Sequence, residues 1–372
     1  MESGDIRPPA QFRAAGVHCG IKPEALDLAV VWAESDVVAA GVYTQNRVVA
    51  APVQWCRQRT PSDHVRAIVI NSGNANACTG ERGAADTETM ARWTAEAIGA
   101  QPEQVLVMST GIIGEFLPMA ALEEGIPRAV AESRSDAAAL EQAARAILTT
   151  DRVIKTAHRE VTLGDRRVTL TGMAKGAGMI GPQMATMLAV ILTDAKLSLE
   201  SAQRLLRTAV DRSFHCISVE GHTSTNDSVV LLASGDVEVC DSEEELILGD
   251  ALTALSVDLA KQIPADGEGA THLVTIRVTG APDGQAARRV ARTIADSPLV
   301  KTAMTGADPN WGRIVSAAGY ADVPFDPDRL SLRLCGVLVF EGGVPLEFDQ
   351  DALRGVMRES FELPVEVDLG MG

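Results

Sequence analysis

Residues Thr171–Ala195 read TGMAKGAGMIGPQMATMLAVILTDA, a glycine-rich loop with one lysine that runs directly into a continuous apolar segment. The apolar segment predicts a buried strand, because uninterrupted Val, Ile and Leu are typical of strands covered on both faces. The loop has some likeness to a phosphate-binding loop. A Walker loop, however, requires Gly-Lys-Ser/Thr, whereas Lys175 is followed by Gly176 and Ala177, so nucleotide binding is disfavoured.

On both sides of this stretch, apolar runs alternate with Ala-rich segments of helical periodicity. The predicted strands are Leu28–Trp32, Val37–Val42, Ala67–Ile70, Val105–Met108, Val168–Leu170 and Leu188–Leu192. The predicted helices are Gly83–Gly99, Met119–Ala131, Ala137–Leu148, Ser198–Arg212, Glu243–Lys261 and Gln285–Ala295. In the last third, Val274–Thr279 alternates apolar and polar residues and Leu330–Phe340 predicts a strand pair, both with one solvated face. The pattern therefore mixes strands and helices throughout the chain.

Composition and charge favour a globular protein that acts on small molecules. The chain has 372 residues, 46% of them hydrophobic, which predicts one large domain or two to three interlocked ones. The 33 Lys and Arg against 50 Asp and Glu give a net charge of −17. This charge repels nucleic acids and anionic membranes. An anionic substrate would therefore need a local cation, and Lys175 is a conspicuous one.

Neither metal binding nor disulfide formation is expected. The six cysteines show no CxxC spacing, and Cys78 has no neighbour that would activate its thiol. His215 and His222 flank a short segment without a second pair of ligands nearby. The N-terminal residues have no targeting pattern and no apolar run reaches 18 residues, so a cytoplasmic location is expected.

Thr186, at the start of the apolar segment, is the candidate nucleophile. A β-branched residue in such a run is also an ordinary strand residue. However, the preceding glycines and Pro182 allow a strained peptide bond, and small Ala185 lets the hydroxyl approach the carbonyl behind it. Cleavage there would give Thr186 a hydroxyl and a free α-amine with a pKa of about 7.7 to 8.0. Such a residue carries its own general base.

Three further segments contain candidate site residues. Thr110 and Gly111 are predicted in a tight turn after a strand, where a hydroxyl and a backbone amide could form an oxyanion hole. The run INSGNANACTG puts Asn71, Asn74 and Asn76 in a loop, where a structural role and a functional one remain open. Glu268 lies between glycines and could hold a cationic amine.

In combination, these segments resemble the ornithine acetyltransferase family, also called bifunctional glutamate N-acetyltransferase, of arginine biosynthesis. The resemblance covers nearly the whole chain, in order. It includes QFRAAGVHCGIK (Gln11–Lys22), NSGNANACTG, STGIIGEFLP, LTTD, AKGAGMIGPQMATMLAVILTDA, HTSTND (His222–Asp227), DGEGA, SPLVKTA and GADPNWGRI (Gly306–Ile314).

The resemblance implies self-cleavage between Ala185 and Thr186, which gives an α chain of residues 1–185 and a β chain of residues 186–372 in a heterotetramer. It implies that Thr186 takes the acetyl group from N-acetylornithine and passes it to glutamate in a ping-pong cycle. Thr110 and Gly111 match the oxyanion-hole pair of the family. Lys175, Thr186 and Glu268 match substrate-binding positions, and so does one threonine of the pair Thr149 and Thr150. The fold implied is an α/β arrangement of layered sheets and helices that resembles the N-terminal nucleophile hydrolases.

The chain also departs from the family pattern. Family members continue beyond the VDLGMG of Val367–Gly372 with an Asn-x-x-Tyr-Thr-Thr type motif that binds substrate. Smaller differences are Arg152 after the TTD, and Gly181 and Gln183 before the scissile bond. Alternatives to the transferase are a self-processing threonine aminopeptidase or amidase, and a non-catalytic or nucleotide-binding protein. No cofactor is expected, and the use of acetyl-CoA as an acetyl donor is left open.

Overall fold

The computed structural model describes residues 6–179, 181 and 187–371, and the chain divides into two compact units. The first unit contains the residues up to Ile217 together with His222–Glu268, and the second contains Ser218–Gly221 together with the residues from Gly269 onward. Both units mix strands and helices, which confirms the predicted α/β class. The expected boundary between residues 185 and 186 lies outside the described residues and stays a prediction.

One sheet forms the framework of the first unit. Its described strands are β1 (Phe12–Val17), β2 (Leu28–Tyr43), β3 (Ser62–Asn74), β4 (Val105–Ile112), β5 (Lys155–Leu163), β6 (Arg166–Lys175), β7 (Leu188–Ala195) and β8 (Ser228–Val237). Their order is β4-β3-β2-β8-β7-β6-β5, and β1 pairs with β2. β3 and β4 are parallel, as are β7 and β8, whereas β5, β6 and β7 are antiparallel.

Helices cover both faces of this sheet. The described helices of the unit are α1 (Ala51–Arg57), α2 (Gly80–Ile98), α3 (Met119–Glu132), α4 (Ala137–Ala146), α5 (Leu199–Asp211) and α6 (Ser242–Ala265). Successive residues of β3 point to opposite faces: Val69 packs in one core with Met90 of α2, and Ile70 packs in another core with Leu140 of α4. The segment Ala67–Ile70 of this strand is therefore apolar at every position, as the sequence predicts for a sheet buried on both sides.

The long strand β2 connects the two halves of the sheet. Its first half pairs with β1 and β3, and its second half, Val38–Tyr43, pairs with β8. The strands β3, β2, β8 and β7 lie between β4 and β6 in the sheet order, yet the side chain of Lys175 at the end of β6 contacts Thr110 on β4. The two halves of the sheet therefore turn toward each other, which brings the ends of β4 and β6 together.

The second unit has its own sheet and core. Its described strands are β9 (Leu273–Thr279), β10 (Ser331–Leu334), β11 (Val337–Glu341), β12 (Val344–Pro345) and β13 (Glu362–Asp368), in the order β12-β11-β10-β13-β9. Its described helices are α7 (Gly284–Asp296), α8 (Pro298–Thr305), α9 (Trp311–Gly319) and α10 (Gln350–Glu359). The strand β13 alternates buried Leu363, Val365 and Val367 with exposed residues, so the sheet has one solvated face.

The predicted elements are present, with differences that have physical causes. Leu28–Trp32 and Val37–Val42 form one strand, because the chain stays extended between them while its register with β3 shifts. Thr110 and Gly111 are not in a tight turn, because the parallel pairing of β3 with β4 continues through them. The same pairing places Asn71 and Asn74 in β3 and not in a loop. The strand β8 was not predicted, although its VVLLA run is as apolar as the others.

Candidate functional site

Lys175 is the last residue of β6, and its ammonium group is buried against two hydroxyl groups. Its Nζ donates hydrogen bonds to Thr149 Oγ1 at 2.7 Å and to Thr110 Oγ1 at 3.2 Å. The residue is 1% exposed, and burial lowers the pKa of its ammonium to about 8. Hydroxyl oxygens stabilise the ammonium without neutralising it, so Lys175 keeps a positive charge that is available to an anionic ligand.

The three threonines predicted for the site have different positions in the structure. Thr110 lies buried in β4, and Thr149 follows helix α4 and is partly buried. Thr150 is exposed, so the structure places Thr149, and not Thr150, beside Lys175. Gly111 follows Thr110 with a φ of +137°, and a Cβ there would lie 2.2 Å from the carbonyl carbon of Gly73. The position therefore requires glycine.

Asp151 forms hydrogen bonds both with Thr149 and with the backbone that follows Lys175. Its Oδ2 accepts a hydrogen bond from the Thr149 amide at 3.0 Å, and its Oδ1 accepts one from the Gly176 amide at 2.6 Å. Its Oδ1 also accepts a hydrogen bond from Lys155 Nζ at 2.8 Å, while Lys175 Nζ is 3.9 Å from Oδ2. Burial opposes ionisation of this carboxyl, but the two ammonium charges and the hydrogen bonds outweigh it, so its pKa lies below the usual value.

The backbone of Glu268 is hydrogen-bonded to the glycine-rich segment that follows Lys175. Its amide donates a hydrogen bond to the Ala177 carbonyl at 3.0 Å. A Cβ built on Gly178 would lie 2.7 Å from Glu268 Oε1, so the carboxylate lies directly beside Gly178. Glu268 itself is exposed, which leaves its charge accessible to a cationic group. The structure therefore places an accessible carboxylate next to the segment that begins at Lys175.

Ala185 and Thr186, the predicted cleavage site and nucleophile, lie outside the described residues. Met187, the next residue in the chain, is held at both ends of its backbone. Its amide donates to Asp227 Oδ1 at 3.0 Å, and its carbonyl accepts from the Ser228 amide at 3.2 Å. No described group hydrogen-bonds to Asp227 Oδ2, and burial raises the pKa of this carboxyl to about 8.

The asparagines of the NSGNANACTG segment stabilise the surrounding backbone. Asn71 Nδ2 donates to the Asn74 carbonyl, Asn74 Nδ2 donates to the carbonyls of Glu115 and Phe116, and Asn76 Nδ2 donates to the Gly83 carbonyl. These contacts tie the ends of β3 and β4 to the start of α2 and to the loop after β4. Of the two roles that the sequence left open, the structure therefore supports the structural one for these side chains.

The sequence predicted Thr110, Lys175, Glu268 and one threonine of the pair Thr149 and Thr150. The structure brings Thr110, Thr149, Lys175 and Glu268 into one connected region. Sequence reasoning did not identify Asp151, Lys155, Asp266 or Asp227 as members of the surrounding network. Asp151 and Asp227 end the quoted LTTD and HTSTND motifs, and Asp266 begins DGEGA, so a signal was present for three of them. For Lys155 the only signal is a lysine at the start of an extended segment, which normally predicts an exposed side chain.

Two further predictions concern metal binding and membranes. In the ranges 6–179, 181 and 187–371, no three or more His, Cys, Asp or Glu side chains are grouped so that they could hold a metal ion. His215 Nδ1 instead lies 2.7 Å from Asp211 Oδ1, one helical turn away. Among the helices of the described part of the chain, none combines the length and the apolar character needed to cross a bilayer.

Comparison with known proteins gives consistent matches along the chain. The model of the ArgJ family matches residues 13–372. The arginine biosynthesis bifunctional protein ArgJ 1 of Nostoc sp. is 46% identical over 369 residues, which cover 96% of this chain and 88% of that protein. The corresponding protein of Rhodopirellula baltica is 44% identical, with 98% of this chain and 90% of that protein covered.

Among solved structures, the ornithine acetyltransferase of Mycobacterium tuberculosis, in complex with ornithine, is 42% identical with a TM-score of 0.44. The match covers 49% of this chain and 96% of that chain. The family model extends over nearly all residues, and relatives more than 40% identical align along almost the whole length of this chain. The chain therefore belongs to the ArgJ family.

Proposed function

We propose that this chain is an acyltransferase of arginine biosynthesis that moves the acetyl group of N-acetylornithine to glutamate. The observation that carries the proposal is the buried Lys175 ammonium, which contacts Thr149 and Thr110 at the point where the two halves of the sheet meet. In a protein with a net charge of −17, such a cation is suited to the carboxylate of an amino-acid substrate. Family membership and the names of the relatives agree with this substrate class.

In the proposed reaction, the Thr186 hydroxyl attacks the acetyl carbonyl carbon of N-acetylornithine, with the α-amine of Thr186 as the general base. The carbon–nitrogen bond breaks, the proton passes to the leaving amine, and ornithine departs from an acetyl-threonine enzyme. The amine of glutamate then attacks the same carbonyl carbon. The carbon–oxygen bond to Thr186 breaks, and its hydroxyl is restored. Glutamate thus leaves as N-acetylglutamate.

Thr110 and Gly111 are proposed to stabilise the negative oxygen that develops in both steps. The Thr110 oxygen accepts a hydrogen bond from Lys175 Nζ, so the hydroxyl hydrogen of Thr110 stays free to be donated. A hydroxyl polarised by an ammonium group is a stronger donor than an isolated one. Removal of one oxyanion-hole donor typically lowers kcat by about 10²–10³-fold. Glu268, beside Gly178, is proposed to hold the free side-chain amine of N-acetylornithine.

Self-cleavage is proposed to precede catalysis. The Thr186 hydroxyl attacks the carbonyl carbon of Ala185, the peptide bond breaks as an ester forms, and water hydrolyses the ester. The products are an α chain of residues 1–185 and a β chain that starts at Thr186 with a free amine. We further propose that the two chains remain together as a heterotetramer in the cytoplasm and need no cofactor.

Intact mass under denaturing conditions tests the cleavage step first. We expect two species that separate between Ala185 and Thr186, whereas Thr186→Ala is expected to remain one species of 39.2 kDa. A single species for the wild-type chain, or full transferase activity of Thr186→Ala, would overturn the proposal.

An assay with and without glutamate separates the transferase from a related amidase. A transferase releases ornithine from N-acetylornithine continuously only when glutamate is present, because its acetyl-enzyme needs an acceptor. Continuous release without glutamate would instead identify a self-processing amidase that uses water. Replacing N-acetylornithine by acetyl-CoA in the same assay determines whether acetyl-CoA is also a donor.

A further inference from the structure

Lys155 is a buried cation outside the set of residues that the proposed chemistry uses. It is the first residue of β5 and is 0% exposed. Its Nζ donates to Asp151 Oδ1 at 2.8 Å, to Asp266 Oδ2 at 2.6 Å and to the Val153 carbonyl at 3.3 Å. An ammonium group has three hydrogens, so these three acceptors satisfy it fully. Lys155 therefore has no hydrogen left to donate to a ligand, and any functional role must act through its partners.

The two carboxylates that Lys155 contacts are each hydrogen-bonded to a different segment of the chain. Asp151 accepts hydrogen bonds from the amide of Thr149, whose hydroxyl contacts Lys175, and from the amide of Gly176, which follows Lys175 in the chain. Asp266 follows helix α6, two residues before Glu268, and accepts hydrogen bonds from the amides of Arg152 and Val153. One buried ammonium thus connects the segment that carries Thr149 and the backbone at Lys175 with the segment that carries Glu268.

Lys155 also affects which groups the Lys175 ammonium contacts. Asp151 Oδ1 is 2.8 Å from Lys155 Nζ, while Asp151 Oδ2 is 3.9 Å from Lys175 Nζ. Without Lys155, Asp151 would have Lys175 as its nearest cation. Coulomb attraction in a buried site would then favour a direct contact between Lys175 and Asp151 over the contacts with Thr149 and Thr110. Lys155 therefore keeps Lys175 directed at the hydroxyl groups.

We propose that Lys155 is a positioning residue for the acetyl-transfer reaction, which sets the spacing between the carboxylate-binding Lys175 and the amine-binding Glu268. The proposal rests on the proposed function, and the ligand class is an N-acetylated amino acid with a carboxylate at one end and a free side-chain amine at the other. Lys155 contacts the carboxylates that support both binding ends directly, and it reaches the oxyanion donor Thr110 only indirectly, through Lys175. Its loss should therefore weaken substrate binding more than the chemical step.

The test compares Lys155→Met with wild type on mature enzyme, with the cleaved fraction measured by intact mass. We expect the KM for N-acetylornithine to rise at least about tenfold while kcat per cleaved enzyme changes less than about threefold. The control is Arg159→Met. Arg159 also lies on β5 and pairs with Asp258 of α6 at 2.5 Å, but both side chains are more than a third exposed. This pair joins β5 to α6 and includes no residue assigned to the site, so the control should keep the wild-type KM.

A second variant separates positioning from folding. Lys155→Met leaves Asp151 and Asp266 with fewer hydrogen bonds and without their shared cation, which is expected to lower stability. The double variant Lys155→Met/Asp266→Asn removes one of those charges and should recover thermal stability. We expect its KM to stay raised. A KM within twofold of wild type in either variant would overturn the positioning role. If wild type and Arg159→Met also fail to convert N-acetylornithine, the proposed function fails instead.

Discussion

At the scale of single residues, the candidate site depends on a lysine whose charge is stabilised by hydroxyl groups. Burial lowers the pKa of Lys175 from 10.5 to about 8, close to the pH at which most enzymes work. The groups that act on it are Asp151 and Asp227, which favour the charged form, and Lys155 and Lys22, which oppose it. Because carboxylate binding needs the protonated form, the protonation of Lys175 should control activity on the alkaline side.

We predict opposite pH dependences for activity and for stability above pH 8. The kcat/KM should fall above about pH 8, because Lys175 loses its proton. Between pH 8 and 10.5 the unfolded chain holds this proton and the folded chain does not, so the contribution of Lys175 to the free energy of unfolding should rise with pH. Steady-state kinetics and thermal unfolding at matched pH values measure both quantities.

Two variants test which group causes the fall in kcat/KM above about pH 8, the alkaline limb of the pH profile. Lys175→Met should lower kcat/KM by roughly 10- to 150-fold, which corresponds to about 1.5–3 kcal/mol for a hydrogen bond to a charged group, and should remove the limb. Asp227→Asn is needed because burial also raises the pKa of Asp227 to about 8. If the limb disappears in Asp227→Asn and persists in Lys175→Met, its assignment to Lys175 is wrong.

At the scale of secondary structure, the junction of β3 and β4 holds the proposed oxyanion donors. The two parallel strands pair through Ser72 and Thr110 and then lose regular register at Gly73 and Asn74. At this point the backbones approach so closely that a side chain on Gly111 would overlap with the β3 backbone. The site therefore depends on a close contact between two strands, and this contact depends on a missing Cβ.

We predict that Gly111→Ala is strongly destabilising and that Gly114→Ala is a milder, matched change. Both glycines have a positive φ, +137° and +87°, so both substitutions add backbone strain of about 1–3 kcal/mol. Only at position 111 would the new Cβ meet backbone atoms, 2.2 Å from the Gly73 carbonyl carbon; nothing lies within 4 Å at position 114. Urea denaturation measures both variants, and equal losses would contradict the role of the close contact.

At the scale of the whole molecule, the net charge of −17 acts on both compact units. Each unit has its own apolar core, for example around Val69 and Ile70 in the first and around Leu363 and Val365 in the second. Excess like charge on a folded chain favours expansion, because the charges are farther apart in the unfolded state. The cores therefore have to offset a repulsion that is independent of any particular contact.

We predict that added salt stabilises the protein. The unfolding temperature should rise between about 10 mM and about 200 mM NaCl, because salt shortens the range of repulsion between surface charges. Sodium chloride is preferable to sulfate here, since sulfate also strengthens the hydrophobic effect. Differential scanning fluorimetry at constant pH gives the measurement. A fall in unfolding temperature over this range would show that attractive ion pairs outweigh the net repulsion.

The sequence by itself determined the apolar strands, the amphipathic helices and the motifs that show the family, because these depend on residues close together in the chain. Only the tertiary structure decided that Thr149 and not Thr150 faces Lys175, and that Lys155 connects Asp151 with Asp266. Lys175 and Thr110 are 65 residues apart, and Lys155 and Asp266 are 111 apart. Local patterns cannot specify such pairs, because they form only after strand pairing curves the sheet and brings distant strand ends together.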